Sequence, residues 1–173
     1  MSSIRSRAPR ASSAVVRRVM QANTGRETRP EQIVRSFLHR RGLRFRKDLR
    51  PIQALRCAAD VVLPRVKVCI FIDGCFWHGC PKHFHVPATN SEWWAEKIEA
   101  NRIRDRRNNK ILKRNGWLVI RLWEHQITPT ALRRLESKIG ARVSSGNRVE
   151  NGFRCKLAAN WIVHRKKSAA GMV

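Results

Sequence analysis

The run Val66–Ile72 (VKVCIFI) constrains this chain more than any other stretch. It is apolar at almost every position rather than at alternate ones, and a strand of that kind is covered on both faces. The chain must therefore wrap helices around a small sheet. Periodicity supplies those layers. Thr28 and Glu31 bracket Pro30 as a T-x-x-E capping box, and Ile33, Val34, Phe37 and Leu38 follow at helical spacing until Gly42, which predicts a first helix of about a dozen residues. Leu43–Arg46 and Ala58–Leu63 read as strands, the second stopped by Pro64. Trp94–Arg114 reads as a long helix with Trp94, Ile98, Ile111 and Leu112 inward, ended by Asn115-Gly116. Trp117–Trp123 (WLVIRLW) then predicts a buried strand, and Thr128–Ile139 a short helix closing at Gly140. The expected fold class is a mixed α/β sandwich. Its expected organisation is a basic arm over 1–26, one domain over 27–140 and a tail over 141–173, in which Trp161, Ile162 and Val163 suggest some docking.

Charge narrows the partner. The 173 residues hold 37 Lys and Arg against 12 Asp and Glu, a formal charge of +25, and arginine outnumbers lysine. Arginine's planar fork suits phosphate and base edges, whereas lysine would serve solubility as well. Residues 1–26 carry arginines and no acid, and between Asn101 and Arg121 Asp105 is the lone acid among basic residues. Such density is the footprint of a polyanion, and the alternative is a merely solvated surface. A neutral metabolic enzyme is excluded as the default, and 42% hydrophobic residues with six Trp exclude a wholly disordered basic chain. No apolar run is long enough for a membrane span, and the first twenty residues lack the apolar segment of an export signal, so a cytoplasmic, nucleoid-associated protein is expected. Five cysteines without such a segment favour metal ligation or buried thiols over disulfides.

Between the central strand and the long helix, from Asp73 to Trp93, the pattern collapses into Gly, Cys, His, Pro and aromatics, a loop held by something other than packing. Cys75, Cys80 and His83 stand there as C-x4-C-x2-H, and thiolates with imidazole select zinc. A fourth ligand would come from His125, directly after the last strand, or from the nearer His85. Reduced cysteines beside scattered histidines are the plainer explanation. Cys57, Cys69 and Cys155 look like ordinary thiols, with Cys69 buried in its strand. Asp60 opens a run of apolar strand residues, where a carboxylate can hold Mg²⁺ against a phosphate or simply end a strand. His78 could shuttle a proton, or be a surface residue or spare zinc ligand. Asp105 could orient it, or pair with its arginine neighbours. Glu31 is explained by the capping box, yet it also sits where a carboxylate can hold water on a metal. Phe76, Trp77 and Trp94 are large rings in a basic setting and can wedge between base pairs, whereas Trp93, Trp117 and Trp123 read as core.

The run Phe71-Ile72-Asp73-Gly74-Cys75-Phe76-Trp77-His78-Gly79-Cys80-Pro81-x-His83 closely resembles the very-short-patch repair (Vsr) DNA mismatch endonuclease family. So do Arg26–Glu31, Pro87-Ala88-Thr89, the Trp94/Lys97/Asn101/Asp105 spacing, and Gly116-Trp117 through Trp123-Glu124-His125. The resemblance covers about residues 20–127. It implies a restriction-endonuclease-like fold with a structural zinc, and Mg²⁺-dependent nicking 5′ of the thymine in a T·G mismatch, the product of 5-methylcytosine deamination. It further implies that Asp60 binds the metal with the backbone carbonyl of Ile72, that His78 is the catalytic histidine with Asp105 as its partner, and that Glu31 holds metal-bound water. Cys75, Cys80, His83 and His125 match the zinc ligands. Phe76, Trp77 and Trp94 match intercalating aromatics, while Lys97, Asn101 and Met20 fall among the DNA-contacting positions. The chain departs from the family in having Ala59 before Asp60 where many nuclease relatives have Pro, and Asp73 where some members have His. An acidic-x-Lys signature is missing from the Val66–Ile72 strand. The expected protein is a monomer acting on T·G-mismatched duplex DNA alongside mismatch-repair proteins, away from membranes. The rivals are a restriction or homing-type nuclease acting on paired DNA and a non-catalytic, zinc-stabilised DNA-binding protein.

Overall fold

The computed structural model describes residues 27–146, together with Pro9, Ser13, Ala14, Arg17 and Arg18. Met20 and the expected C-terminal tail beyond 146 lie outside the described residues. Helix α1 (Arg29–Arg40) leads into strands β1 (Arg46–Leu49), β2 (Ala59–Leu63) and β3 (Val68–Asp73). Helix α2 (Ser91–Arg114), strand β4 (Leu118–Trp123) and helix α3 (Pro129–Gly146) follow. The four strands make one mixed sheet in the order β1-β2-β3-β4. β3 pairs antiparallel with β2 (Val62↔Cys69) and parallel with β4 (Ile70↔Ile120). A parallel neighbour demands a crossover, and α2 supplies it.

The apolar run of β3 is placed as its composition requires. Val68 and Ile70 face a core built with Val34, Phe37 and Leu38 of α1 and Leu132, Leu135, Ile139 and Val143 of α3. Cys69 and Phe71 face the opposite layer with Val62 and Leu112. α1 and α3 therefore cover one face, and α2 covers the other.

Three expectations are corrected. The first strand lies at Arg46–Leu49, not Leu43–Arg46, because Leu43 is taken into the core and Phe45 packs against it. The strand that does form is polar and exposed, as an edge strand can be. β4 is not a buried strand: it is the other edge of the sheet, and of its residues Ile120 alone is buried. α3 does not close at Gly140 but runs to Gly146 and so crosses the expected domain end. Leu132, Leu135, Ile139 and Val143 form one stripe at three- and four-residue spacing, and docking its last turn outweighs the roughly 1 kcal/mol that glycine costs in a helix. Arg142 adds to this by donating to the carbonyls of Val66 (3.2 Å) and Gly116 (2.5 Å).

Among the described residues no helix is long and apolar enough to cross a membrane.

Candidate active site and Cys/His cluster

The register of β2 on β3 runs through Leu63↔Val68, Val62↔Cys69 and Val61↔Ile70. Beyond it, side-chain chemistry takes over from the ladder: Ile72 N–H donates to Asp60 Oδ2 at 2.7 Å. The N–H and C=O of one strand residue project to the same edge, so the Ile72 carbonyl also faces Asp60. Burial pushes the Asp60 carboxyl up to about 6; the Ile72 N–H opposes that rise, while the charges of Glu31 and Asp48 add to it. Oxygens of Glu31, Asp48 and Asp60 all lie within 4.8 Å of one another. Arg35, itself buried, threads this acidic group, donating to Glu31 (3.0 Å), Asp48 (3.5 Å) and the Asp60 carbonyl (3.2 Å). The capping box is not formed as expected. The Thr28 hydroxyl donates to Glu31 Oε1 (2.8 Å) instead of receiving a helix N–H, and Glu31 Oε2 accepts from Glu27 N–H (3.1 Å).

Across the same cleft, His78 Nδ1 lies 2.6 Å from Asp105 Oδ2. A carboxylate only accepts, so Nδ1 carries the hydrogen, and Nε2 is the nitrogen free to exchange a proton. Burial alone would raise Asp105, but the hydrogen bond from His78 and the positive charge of Arg121 outweigh it and hold the carboxyl below its usual range. Asp73 is paired by Arg121, which donates from Nε to Oδ2 (2.6 Å) and from Nη2 to Oδ1 (2.5 Å). Asp60, Ile72, Asp73, Phe76, Trp77, His78, Asp105 and Arg121 line one cleft of about 740 Å³, together with Glu31.

Helix α2 positions much of this. Its inward stripe is Trp94, Ile98, Asn101, Asp105, Asn108 and Leu112, a regular alternation of three- and four-residue steps. Three of the six are polar: Asn101 and Asp105 meet the loop after β3, and Asn108 meets Cys57 ahead of β2. Asn101 donates to the Trp77 carbonyl (3.0 Å) and Arg102 to the Gly79 carbonyl (2.6 Å), which latches the loop to the helix. Gly79 has φ +63°, and a Cβ there would meet Ile98 Cγ2 at 2.7 Å, so both its backbone and its surroundings require glycine.

The loop is gathered at its far side by Cys75, Cys80, His83 and His125, whose ligand atoms lie within 4.8 Å of one another. The four sulfur–nitrogen separations are 3.1, 3.5, 3.8 and 3.9 Å. Zinc bonds of about 2.3 Å to sulfur and about 2.0 Å to nitrogen, in a tetrahedron, place S and N about 3.6 Å apart. The donor set therefore has the chemistry and the span of a zinc site. Burial raises the Cys75 thiol to about 11, with Cys80 adding to the rise, so a cation would be needed to strip a proton from it. Cys75 N–H also donates to Glu124 Oε1 at 2.7 Å, tying the loop to the turn that carries His125. His85 is exposed and outside the cluster.

Above the loop, aromatic rings pack edge to face: Phe76 on Trp94 (5.0 Å), Phe76 on Trp77 (5.3 Å) and Trp77 on Trp94 (6.0 Å). Trp77 is 42% exposed, whereas Trp94 is 7% exposed.

Comparison with known proteins then decides the family. The family model for the DNA mismatch endonuclease Vsr matches residues 12–84. Over 138 residues the chain is 41% identical to the type II nicking enzyme V.NaeI of Lentzea aerocolonigenes, covering 79% of each protein. The chain belongs to the Vsr family of DNA mismatch endonucleases. It is also 40% identical over 117 residues to the type II nicking enzyme V.NmeAIP of Neisseria meningitidis, covering 66% of this chain and 80% of that one. With the DNA mismatch endonuclease Vsr of Escherichia coli it shares 40% identity over 106 residues, 61% of this chain and 66% of that protein. As a Vsr-family member it is a nuclease.

In this Vsr-family chain the structure brings Asp60, Ile72, Glu31, His78 and Asp105 into one cleft, and the Cys/His quartet into one cluster. At two of the positions expected to contact DNA the side chains are engaged within the protein. Trp94 lies beneath Trp77 and Phe76 as their support, and Asn101 commits its amide to the Trp77 carbonyl. Lys97 is exposed on α2. Sequence reasoning missed Asp48, Arg35 and Arg121. The buried polar residues of the α2 stripe were readable by spacing; the partners of Arg35 and Arg121 come from other elements and leave no local pattern.

Proposed function

We propose that this protein is an Mg²⁺-dependent endonuclease of restriction-endonuclease-like fold. It nicks one strand of duplex DNA 5′ of the thymine in a T·G mismatch and so begins repair of deaminated 5-methylcytosine. The observation that carries this reading is the His78–Asp105 hydrogen bond in the same cleft as the Asp60 group. A base of fixed tautomer and a carboxylate that can hold positive charge against a phosphate together suit hydrolysis, and the His78–Asp105 pair beside Asp60 supports that assignment. A divalent cation at Asp60 would neutralise the phosphate and acidify a water. The carboxylate set fits a hard cation: three acidic side chains converge, and Asp60 is held in a protonation range that opposite charge would relieve. His78 Nε2 takes the proton of the attacking water as its oxygen bonds to phosphorus and the bond to the departing sugar oxygen breaks, that oxygen taking a proton from solvent to leave as a hydroxyl. Asp105 holds the imidazole and stabilises the imidazolium. Glu31 orients water beside Asp60. Cys75, Cys80, His83 and His125 would hold a zinc ion, which would fix the loop that carries His78 and Trp77. The exposed Trp77, backed by Phe76 and Trp94, enters the weakened T·G step, where deformation costs less than in a paired one. Lys97 and the basic arm with Met20 contact the duplex. The enzyme acts as a monomer in the cytoplasm, on the nucleoid, and hands its nick to mismatch-repair proteins.

The test uses end-labelled duplexes of one sequence carrying T·G, T·A or each other mismatch, incubated with protein and Mg²⁺. A single nick 5′ of the thymine in the T·G duplex is expected, lost in Asp60→Ala while DNA binding persists. Equal cutting of the T·A duplex would instead favour a restriction-type nuclease, and Mg²⁺-independent binding without nicks a non-catalytic protein.

A further inference from the structure

Arg121 stands outside the machinery just described, yet it is the cation that the catalytic side of the cleft is built around. It lies on β4 opposite Phe71 of β3, and its guanidinium sits over the Phe71 ring, 5.0 Å from the ring centre. From there its Nε and Nη2 fork grips Asp73, two residues further along β3 on the same face. Nη2 has a second hydrogen, and Asp105 Oδ2 lies 3.1 Å away. That oxygen is the one that accepts from His78 Nδ1. Arg121 Nη2 also approaches His78 Nδ1 to 3.3 Å, but both atoms are donors, so the contact records two donors converging on one carboxylate oxygen. Asn109 Oδ1, 3.4 Å from Nη1, steadies the remaining nitrogen.

We propose that Arg121 is a positioning residue for the catalytic dyad. It clamps Asp105 Oδ2 against His78 Nδ1 from a platform made by Asp73 and Phe71, so that His78 is held as the Nδ1–H tautomer. Asp73 then acts as the anchor of Arg121 and not on water. This rests on the reading of His78 as the proton acceptor. The geometry supports it in three ways. Arg121 is fixed on one face by the Phe71 ring and along one edge by a two-point ion pair with Asp73, and its remaining Nη2–H meets Asp105. Asp73 is 5% exposed and thus cannot turn to solvent. Asp105 comes from α2, a different element from both Arg121 and His78, and its hydrogen bonds to those two fix its carboxylate relative to the sheet.

Removing Arg121 alone would leave Asp73 buried without its partner, and the fold itself could fail. The decisive protein is therefore the full-length double variant Asp73→Asn/Arg121→Gln, compared with wild type and with Arg121→Lys. The first readout is ¹⁵N–¹H correlation of the histidine rings at fixed pH. Wild type should show His78 as a single Nδ1–H tautomer, and the double variant a mixture of both. The second is nicking of the T·G duplex. kcat should fall 10- to 100-fold in the double variant with KM within about twofold, and Arg121→Lys should not restore it, because one ammonium cannot hold two carboxylates in the fork's geometry. A double variant with wild-type kcat and a single Nδ1–H tautomer would mean that Arg121 only neutralises Asp73, and would overturn the proposal. Full activity in Arg121→Lys would overturn it too, since charge alone would then suffice. If wild type nicks no mismatch, the proposed function falls, and the tautomer comparison still decides the role of Arg121.

Discussion

Two groups of side chains that could hold a metal ion lie close to one loop, and they are built on opposite principles. The Cys75/Cys80/His83/His125 group is closed: four donors whose sulfur–nitrogen separations suit a tetrahedron, two of them buried thiols. The Glu31/Asp48/Asp60 group is open: three acids that repel one another, partly held by Arg35, with Asp60 displaced to about 6. A closed set spends its binding energy on holding the chain together, whereas an open set leaves room for a phosphate and a water. The difference separates what folds the loop from what the loop serves.

The largest way to break the contrast is to remove the closed group. Chelation or Cys80→Ser should forfeit a zinc contribution on the order of 10 kcal/mol, enough to lower the melting temperature sharply and lose nicking together. Calorimetry with and without chelator checks this. Asp60→Asn should do the reverse. Nicking should fall at least a thousandfold, about 4 kcal/mol in barrier, while the melting temperature holds or rises. Parallel loss of folding in both variants would erase the distinction.

The pH dependence sharpens it further. A carboxyl whose folded pKa is about 6, against an ordinary 3.8, binds its proton more tightly in the folded state. Metal-free stability should therefore decline as pH rises from about 4 to about 6, by roughly 3 kcal/mol. Asp60→Asn should flatten that decline, and Mg²⁺ should raise the melting temperature at pH 7.5 but hardly at pH 5. Urea titrations across this window measure it. The smallest expected effect lies above the loop: Trp77→Ala should reduce the preference for T·G over T·A duplex by about tenfold, near 1–2 kcal/mol, in competition binding with little change in stability.

The elements that the sequence disclosed were those whose periodicity had no rival. The β3 run, the first helix and the crossover helix follow from apolar spacing. The Cys/His loop is legible for the opposite reason: that spacing breaks down between Asp73 and Trp93, and C-x4-C-x2-H stands in its place. What stayed hidden was decided by tertiary partners. Gly140 looks like a stop until Val143 is seen in the core, and Thr28 looks like a cap until its hydroxyl is found on Glu31. Arg121 reads as one more surface cation in a chain of net charge +25, and its role depends on Asp73 and Asp105, 48 and 16 residues away.

Cys75 and His125 stand 50 positions apart, with all of α2 and β4 strung between them. An ion joining the two would convert that excursion into a ring. By analogy with a covalent crosslink of similar span, such a tether subtracts about 4 kcal/mol of entropy from the unfolded chain. The loop could then dispense with an apolar interior and devote its surface to aromatic and polar groups that meet another molecule.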